Sequence, residues 1–264
     1  MRPNTVKRKL AAGRPCVGTW LTLGSIPAAR FLARAGFDWL TVDLEHNLMG
    51  METATHMFAS VADAGCMVLA RVPSNRHDHI KRVLDNGAHG VVVPMVNTRA
   101  EALEAVSACL YPPRGTRSVG GSVHALNFDA SPADYYAKAD DEIAIILQCE
   151  HIQAVRDFDA VFGVPGVDAV FVGPNDLAAS MRSADGAPPS PEAFQQALAD
   201  ILAGCQRLGV AAGIHTFSVE DAQMRIAQGW QFVAVASELR FMTDGASAIV
   251  KGLGLAGGAE MAKY

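Results

Sequence analysis

Eight short apolar segments recur along the 264-residue chain, separated by stretches with helical character. Within each segment the apolar positions are consecutive rather than alternating, which is typical of strands buried on both faces of a parallel sheet. Eight strand and helix units in this length predict an α/β fold, a (β/α)8 TIM barrel formed as a single domain over residues 1–264. The segments are CVGTWLT from Cys16, FDWLTVDLEH from Phe37, CMVLARV from Cys66, GVVVPMV from Gly90, EIAIILQCE from Glu142, VDAVFVGPND from Val167, VAAGIHTF from Val210 and QFVAVASEL from Gln231.

Glycines lie between the predicted helices and the strands that follow them. A glycine stands a few residues before several of the strands, as expected where the preceding helix ends and the chain turns back. The irregular segment 183–191 is too short to separate two domains, and we expect it to be a surface connection. The glycine-rich tail at 252–258 and the helix before it are expected to contact a neighbouring subunit. The helix-ending glycines are Gly65, Gly87, Gly209 and Gly229.

Charge and composition limit the classes of partner that the protein is expected to bind. The net charge is −5, and no basic cluster exceeds VKRK at residues 6–9, which argues against a nucleic acid partner. No apolar run approaches the roughly 18 residues of a membrane span. Five isolated cysteines without CxxC spacing indicate reduced core thiols, so we expect a cytoplasmic protein with no membrane partner.

Residues able to perform chemistry are concentrated where the predicted strands end. In a (β/α)8 barrel the active site lies at the carboxyl ends of the strands. Charged side chains that converge there are hard to explain by packing alone, because such groups are seldom buried without partners. The sequence therefore predicts an enzyme. The residues are Asp43, His46, Arg71, Gln148, Glu150, Asn175, Asp176 and His215.

Glu150 and Asp176 follow the neighbouring fifth and sixth strands. Two carboxylates that meet at the mouth predict a metal site, and hard oxygen ligands favour Mg²⁺ or Mn²⁺ with several waters over zinc. The alternative is that one of the two pairs with Arg71 as a structural ion pair while the other is solvated.

The segment GPND, Gly173 to Asp176, leads from the sixth strand into a helix. Backbone N–H groups at a helix amino terminus attract a carboxylate, so this turn is a candidate substrate-binding element. Asn175 and Asp176 are also good capping residues, and a plain helix cap is an alternative that does not exclude binding.

His46 and Arg71 are the candidate catalytic side chains. His46 follows Asp43 by three residues, so a carboxylate could orient the imidazole as a general acid or base, although a lone histidine is often structural. Arg71 ends its strand just before a proline and could stabilise negative charge on a substrate oxygen. Glu45 is expected to face the helices instead. We expect four histidines to be solvated, namely His56, His77, His79 and His89.

The lysines exclude one mechanism. All six lie in predicted helices or tails, and none ends a strand. A Schiff-base aldolase needs a lysine amine inside the barrel mouth, so metal-assisted chemistry is preferred.

Several segments together resemble the HpcH/HpaI aldolase family, the metal-dependent (class II) pyruvate aldolases. The resemblance runs in order from about Gly18 to Ser237. The segments that carry it are VDLEHN, LARVP, VVVPMVNTRAEA, YPPRGTRSVGG, LQCE and FVGPNDLAASM.

The resemblance implies a cofactor and a substrate site. Glu150 and Asp176 would hold Mg²⁺, Mn²⁺ or Co²⁺, and the metal would chelate the keto and carboxylate oxygens of a pyruvate unit. Gln148 and the backbone N–H groups of the turn at Gly173, Asn175 and Asp176 would help to hold that unit.

The resemblance also implies catalytic roles. His46 would be the acid/base, and Arg71 would stabilise the developing enolate. Asp85 would reach the site from a neighbouring subunit and, with Asp43, raise the basicity of His46. Composition alone indicates only a solvated charge at Asp85. The family commonly forms hexamers, arranged as trimers of dimers, so a homo-oligomer is expected.

The implied reaction cleaves a 4-hydroxy-2-oxo acid to pyruvate and an aldehyde through a metal-bound pyruvate enolate. The substrate would be of the 4-hydroxy-2-oxoheptanedioate or 2-keto-3-deoxy sugar acid type. The alternative is a decarboxylase of a 2-oxo diacid such as oxaloacetate, which would use the same enolate. A third reading, from another class, is a metabolite-binding barrel without catalysis.

One segment departs from the resemblance. After RSVGG, the chain reads SVHALNFD from Ser122, where the best-known members carry an arginine and further basic residues. We expect this region to border the aldehyde side of the pocket. Its His124, Asn127 and Phe128 weaken the expectation of a dicarboxylate substrate.

Overall fold

A computed structural model describes residues 1–255 as a closed barrel of eight parallel strands, in which each strand pairs with the next and β8 pairs with β1. The predicted single (β/α)8 barrel is confirmed. The expected subunit contact of the tail falls partly on residues 256–264, which lie outside the described residues. The strands are β1 (Cys16–Leu21), β2 (Trp39–Asp43), β3 (Met67–Arg71), β4 (Gly90–Val93), β5 (Ala144–Gln148), β6 (Ala169–Val172), β7 (Ala211–Thr216) and β8 (Phe232–Ser237).

Helices cover the outside of the barrel, and additional short helices occupy several connections. None of the helices within residues 1–255 is both long and apolar enough to cross a bilayer. The helices are α1 (Thr5–Ala11), α2 (Ile26–Leu32), α3 (Met51–Ala62), α4 (His77–Asp85), α5 (Arg99–Cys109), α6 (Val123–Asn127), α7 (Pro132–Glu142), α8 (Ile152–Arg156), α9 (Phe158–Phe162), α10 (Pro174–Ser180), α11 (Pro191–Leu208), α12 (Val219–Gln228) and α13 (Glu238–Gly252).

Local signals fix the helix ends. Helix α11 begins after the cap Ser190, whose hydroxyl accepts from the Ala193 N–H, and it ends at Gly209 with φ 69°. Helix α12 ends in the same way at Gly229, with φ 103°. Glycine adopts this left-handed conformation without the steric cost that a Cβ would add, which confirms the predicted helix ends.

The barrel interior is apolar below the mouth. Alternate side chains of each strand fill it, and the rings of Trp39 and Phe232 stack with their centroids 4.2 Å apart. The uppermost layer is different, because the odd-numbered strands β1, β3, β5 and β7 contribute polar or amphipathic groups. Strand register places these four side chains in one layer, as is usual for alternate strands of this fold. They are Trp20, Arg71, Gln148 and His215, which we call the top layer.

Polar groups at the amino-terminal foot of the barrel are paired with one another. The Asn4 amide donates to the carbonyl oxygens of His89 and Glu142 at 2.9 and 2.8 Å, and Lys7 Nζ lies 3.0 Å from Asp168 Oδ2. Helix α1 therefore closes the foot through hydrogen bonds to the ends of the strands and of α7.

His89 also lies at the foot, and the expectation that it is solvated is wrong. It is fully buried. Nδ1 accepts from the Val68 N–H at 3.1 Å, and Nε2 donates to the Asn127 carbonyl at 2.9 Å, so both ring nitrogens are used. Burial lowers the pKa of His89 to about 4, and the ring is therefore neutral. The helix-end position misled the sequence prediction because the next residue, Gly90, already starts a buried strand.

Candidate active site

A cavity of about 400 Å³ opens at the carboxyl ends of the strands. It brings together every predicted site residue except Glu150 and Asp85. It also includes side chains that sequence reasoning did not single out, among them Trp20, Thr22 and Arg240. The predicted residues that line it are Asp43, His46, Arg71, Gln148, Gly173, Asn175 and Asp176.

Arg71 is held rigidly at the cavity floor. Its Nε and Nη2 each lie 2.8 Å from an oxygen of Asp43, and Nη1 lies 3.3 Å from Glu45 Oε2. The guanidinium also lies 4.7 Å from the centroid of the Trp20 ring. Burial by itself lowers the pKa of Arg71, but the hydrogen bonds and charges of Asp43 and Glu45 more than offset this and raise it. Arg71 is therefore a fixed, fully charged cation.

Two expectations about the segment after β2 are wrong. Glu45 does not face the helices, because β2 ends at Asp43 and strand alternation stops there; Glu45 instead contacts Arg71, and its Oε2 lies 3.7 Å from His46 Nε2. The predicted contact between Asp43 and His46 is also missing within residues 1–255. Asp43 pairs in register with Arg71 on β3 and accepts from the Glu45 N–H and the Asn47 amide.

His46 therefore lies at the cavity rim with little to fix it. Its side chain is 47% exposed, and Glu45 is the nearest carboxylate. An imidazole in this position can reach both a substrate in the cavity and the solvent, as an acid/base requires.

Glu150 lies behind the cavity floor rather than in its wall. It is 2% exposed; Oε1 accepts from the Met95 N–H at 2.7 Å, and Oε2 accepts from Gln148 Nε2 at 2.6 Å. Burial raises the pKa of Glu150 to about 7 against the effect of the Met95 bond, and the negative charge of Asp176 adds to the rise. The two predicted carboxylates therefore interact electrostatically.

The alternative pairing of Glu150 or Asp176 with Arg71 is not found in the described part of the chain. Arg71 forms its ion pairs with Asp43 and Glu45. Glu150 and Asp176 therefore remain available to another cation.

The donor set fits a hard divalent cation. Residues 1–255 bring no group of three or more His, Cys, Asp or Glu side chains together as a metal site. Mg²⁺ usually binds through one or two carboxylates and keeps several waters, which suits the pair Glu150 and Asp176. Gln148 Oε1 beside them is buried and has no donor among the described residues. A cation would remove the electrostatic cost of burying Glu150 near Asp176.

Backbone features that the sequence did not reveal shape this region. Met95, two residues after the end of β4, has φ 53°, and its N–H donates to Glu150 Oε1. Ala236 has φ 49° and lines the cavity where the register of β8 with β1 shifts. Left-handed backbone in residues other than glycine costs on the order of 1 kcal/mol or more and is concentrated at functional sites. Neither residue type signals such a conformation.

Gly173 is needed because there is no space for a side chain at this position. A Cβ at this position would lie 2.6 Å from Glu150 Oε2 and 3.5 Å from Gln148 Nε2. Pro174 then begins α10, and Asn175 and Asp176 face the cavity at the start of that helix. The GPND turn thus brings backbone close to the buried side chains of Glu150 and Gln148.

Asp85 lies outside the cavity of its own chain. Arg117 Nη2 lies 2.8 Å from its Oδ1, and the fully buried Arg117 guanidinium lies 4.6 Å from the Tyr111 ring centroid and bonds to the Tyr135 hydroxyl. The expectation of a solvated charge is wrong, because Asp85 is 23% exposed and ion-paired. Its action in a neighbouring subunit stays a prediction.

The SVHALNFD segment forms α6 and packs beside Asp85. His124 is buried and its Nδ1 donates to the Asp85 carbonyl at 3.3 Å, while the Asn127 amide donates to the Gly87 carbonyl at 2.9 Å. Neither His124, Asn127 nor Phe128 lines the cavity. The expectation that this segment borders the pocket is therefore wrong within one chain, since His124 Nδ1 and the Asn127 amide instead hold the end of α4.

The chain is similar to known proteins over nearly its whole length. The family model described as HpcH/HpaI aldolase/citrate lyase matches residues 17–244. The chain is 39% identical over 248 residues to 4-hydroxy-2-oxovalerate aldolase of Rhodococcus jostii, covering 93% of this chain and 94% of that protein. It is 36% identical over 252 residues to 4-hydroxy-2-oxo-heptane-1,7-dioate aldolase of Shigella sonnei, with 95% of each covered. The crystal structure of an HpcH/HpaI aldolase/citrate lyase family protein from Burkholderia cenocepacia aligns with a TM-score of 0.87 at 32% identity, covering 95% of this chain and 99% of that one.

Proposed function

Because the chain belongs to the HpcH/HpaI aldolase/citrate lyase family and is a carbon–carbon lyase, we propose that it cleaves a 4-hydroxy-2-oxo acid to pyruvate and an aldehyde. The substrate is of the 4-hydroxy-2-oxoheptanedioate or 2-keto-3-deoxy sugar acid type. The observation that carries this proposal is the cavity in which a fixed guanidinium, a rim imidazole and Asp176 of the GPND turn meet, with Glu150 buried behind its floor.

The chain's own residues divide the work between binding and proton transfer. Gln148 and the turn at Gly173, Asn175 and Asp176 bind the pyruvate half of the substrate. His46 accepts the proton of the C4 hydroxyl; the electron pair of that O–H bond becomes the second bond of the aldehyde carbonyl as C3–C4 breaks. The C3–C4 electron pair passes into the enolate of pyruvate, whose oxygen Arg71 stabilises, and a proton then adds at C3.

Glu150 and Asp176 are the residues that would hold the divalent cation, Mg²⁺, Mn²⁺ or Co²⁺. When bound, such an ion supplies Lewis-acid stabilisation of negative charge on the oxo-acid oxygens. The buried position of Glu150 supports this assignment, because a carboxylate with so little solvent gains strongly from a cation beside it.

We also infer that the working enzyme is a homo-oligomer, a hexamer built as a trimer of dimers. Within residues 1–255 no carboxylate is hydrogen-bonded to His46, and Asp85 does not line the cavity. In the proposal, Asp85 of a neighbouring subunit supplies the carboxylate that orients His46.

Proton NMR of pyruvate in D₂O tests enolate formation without requiring the aldehyde. We expect the methyl protons to exchange with Mg²⁺ or Mn²⁺, to stop exchanging with EDTA, and to resume when the metal is restored. Arg71→Lys keeps the charge but loses the bidentate fork, so exchange should slow by about 10²- to 10³-fold. Glu150→Ala should abolish it, whereas the exposed Glu104→Ala control should exchange like the wild type.

The outcomes are decisive for the proposal. Absence of exchange with every divalent metal would refute it, as would normal exchange in Glu150→Ala. Release of CO₂ from oxaloacetate with no turnover of any aldehyde would instead identify a 2-oxo diacid decarboxylase acting through the same enolate.

A further inference from the structure

The cavity wall formed by β1 and β7 carries polar groups that have no role in the proposed cleavage. In the top layer, Arg71 and Gln148 serve the pyruvate half, and Trp20 lies against the Arg71 guanidinium. His215, the fourth member, lines the cavity between Trp20 and Gln148 in the order of the odd strands. The sequence left its role open.

The tautomer of His215 follows from its contact with Trp20. The indole Nε1–H donates to His215 Nδ1 at 3.0 Å. Because an indole nitrogen can only donate, Nδ1 is the unprotonated nitrogen and Nε2 carries the hydrogen. Burial, aided by the charge of Arg71, lowers the pKa of His215 to about 4, so the ring is neutral near pH 7. Within residues 1–255, Nε2 has no partner and is a free donor.

A second unpaired group belongs to another residue that lines the cavity. The Thr22 hydroxyl is buried, belongs to a residue that lines the cavity, and has no hydrogen-bond partner among the described residues. Leaving a buried hydroxyl unpaired is costly, and a ligand atom that bonds to it recovers that cost. Thr22 directly follows β1 and His215 lies on β7, and the bond between Trp20 and His215 connects these two strands across β8.

The charge of this wall indicates what it can bind. Arg240 lines the cavity too, but its Nε lies 2.6 Å from Asp244 Oδ2, which balances its charge. Phe217 and Leu239 are apolar, and His215 is neutral. The wall therefore offers hydrogen bonds without net charge. A hydroxyl group matches it, since a hydroxyl can accept from His215 Nε2–H while donating to the Thr22 oxygen.

We propose that His215 and Thr22 select aldehydes that carry a hydroxyl group on the carbon next to the carbonyl. His215 Nε2–H donates to that hydroxyl, and Thr22 accepts from it. The inference rests on the proposed function, because it concerns the aldehyde half of the same reaction. It assigns specificity to the wall opposite Arg71 and not to α6.

Three aldehydes of similar size test the selection in the addition of pyruvate, with the full-length Mg²⁺ enzyme. Glycolaldehyde carries the hydroxyl, propanal replaces it with a methyl group, and glyoxylate carries a carboxylate. The measured quantity is the ratio of kcat/KM for glycolaldehyde to that for propanal, compared between variant and wild type so that differences in aldehyde hydration cancel. We expect His215→Leu to lower the ratio about tenfold or more.

Two further variants guard against misfolding. His215→Gln keeps a neutral donor and an acceptor for Trp20, so it should retain the wild-type ratio within about threefold. Thr22→Val removes a hydroxyl that has no partner in the described residues and costs the fold no hydrogen bond, so it should lower the ratio several-fold. Thr55→Val, whose hydroxyl bonds to the Met51 carbonyl on α3 outside the cavity, is the matched control and should leave the ratio unchanged.

A His215→Leu enzyme with the wild-type ratio overturns the inference, and so does a loss of equal size on all three aldehydes. A ratio lowered in His215→Leu and Thr22→Val but kept in His215→Gln supports it. If the wild type catalyses no exchange of the pyruvate methyl protons, the proposed function fails and this inference fails with it.

Discussion

His89 at the foot of the barrel and His215 at its mouth share one property and differ in another. Both are kept neutral by burial, with pKa values of about 4. His89 uses both ring nitrogens, on the Val68 N–H and the Asn127 carbonyl. His215 uses only Nδ1 and leaves Nε2 at the cavity, without a partner in the described part of the chain.

The difference separates the structural end of the barrel from its chemical end. At the foot, a buried imidazole replaces a stretch of backbone pairing and is fully satisfied, so its contribution is to stability. At the mouth, the His215 ring is held in place by Trp20, but its Nε2–H bonds to no group of the described residues. Burial and a lowered pKa are therefore shared by the two histidines, and what distinguishes His215 is its position in the cavity lining with Nε2 left without a partner in the described residues.

Leucine at the two positions tests the contrast most strongly. His89→Leu leaves the Val68 N–H and the Asn127 carbonyl buried without partners, so the free energy of unfolding should fall by about 4 kcal/mol. His215→Leu removes an acceptor from the Trp20 indole alone and should cost about 1 kcal/mol. Urea unfolding followed by circular dichroism measures both. Equal losses at the two positions would contradict the assignment of structural and chemical ends.

Acid should reveal the foot histidine as a stability element. In the unfolded chain the exposed imidazole has a pKa of about 6.5, whereas in the folded protein the pKa of His89 is about 4. Between these values the unfolded chain takes up a proton that the folded chain does not. The free energy of unfolding should therefore fall as the pH drops from about 6.5 to about 4, by up to about 3 kcal/mol from His89.

His215 contributes to this acid sensitivity in the same direction. The measurement is urea unfolding at a series of pH values in the wild type and in His89→Leu. The variant should lose about half of the dependence that the two histidines produce together. An unchanged slope would show that His89 does not titrate as described.

Smaller effects on activity and stability are expected when a methyl group is added to a glycine at the mouth or at the foot of the barrel. Gly173→Ala would place Cβ 2.6 Å from a Glu150 carboxylate oxygen, so that side chain must shift. We expect kcat/KM to fall about 10- to 100-fold with little change in Tm, because in the proposal Glu150 holds the cation and its position sets the site geometry. Gly90→Ala at the foot meets the Ala144 carbonyl oxygen at 2.4 Å, which belongs to the backbone of β5 and cannot move aside.

Gly90→Ala should therefore lower the free energy of unfolding by about 1–3 kcal/mol and leave the activity of the folded enzyme near that of the wild type. Gly245→Ala on α13, where a Cβ meets nothing within 4 Å, is the control for both. Thermal unfolding and steady-state kinetics on the same preparations separate the two effects. A Gly173→Ala enzyme with full activity would remove the argument that Glu150 must stay in place.

The fold could be predicted because it depends on a repeated local pattern. Consecutive apolar residues marked each strand, and left-handed glycines such as Gly209 ended the helices. Most of the site followed, since Arg71, Gln148 and Asp176 stand at strand ends that must converge in a barrel. The family resemblance added Asp85, for which the residues alone gave no functional signal.

What the sequence could not provide were pairings that depend on register and on irregular backbone. Asp43 pairs with Arg71 because β2 and β3 align those two positions, although His46 is nearer to Asp43 in sequence. The N–H directed at Glu150 comes from a positive φ at Met95, which nothing in PMVN specifies. His89 was misjudged because its burial depends on packing by α6 and α1, far away in the chain.

The hydrogen bond between Trp20 and His215 joins residues 195 positions apart. Trp20 lies on β1 and His215 on β7, on either side of β8, so the bond spans the place where the barrel closes. The entropy lost in closing such a long loop grows only slowly with its length, but nothing rewards that loss until the ends are in contact. The wall proposed to recognise the aldehyde therefore depends on closure of the barrel, because its two sides come from opposite ends of the chain.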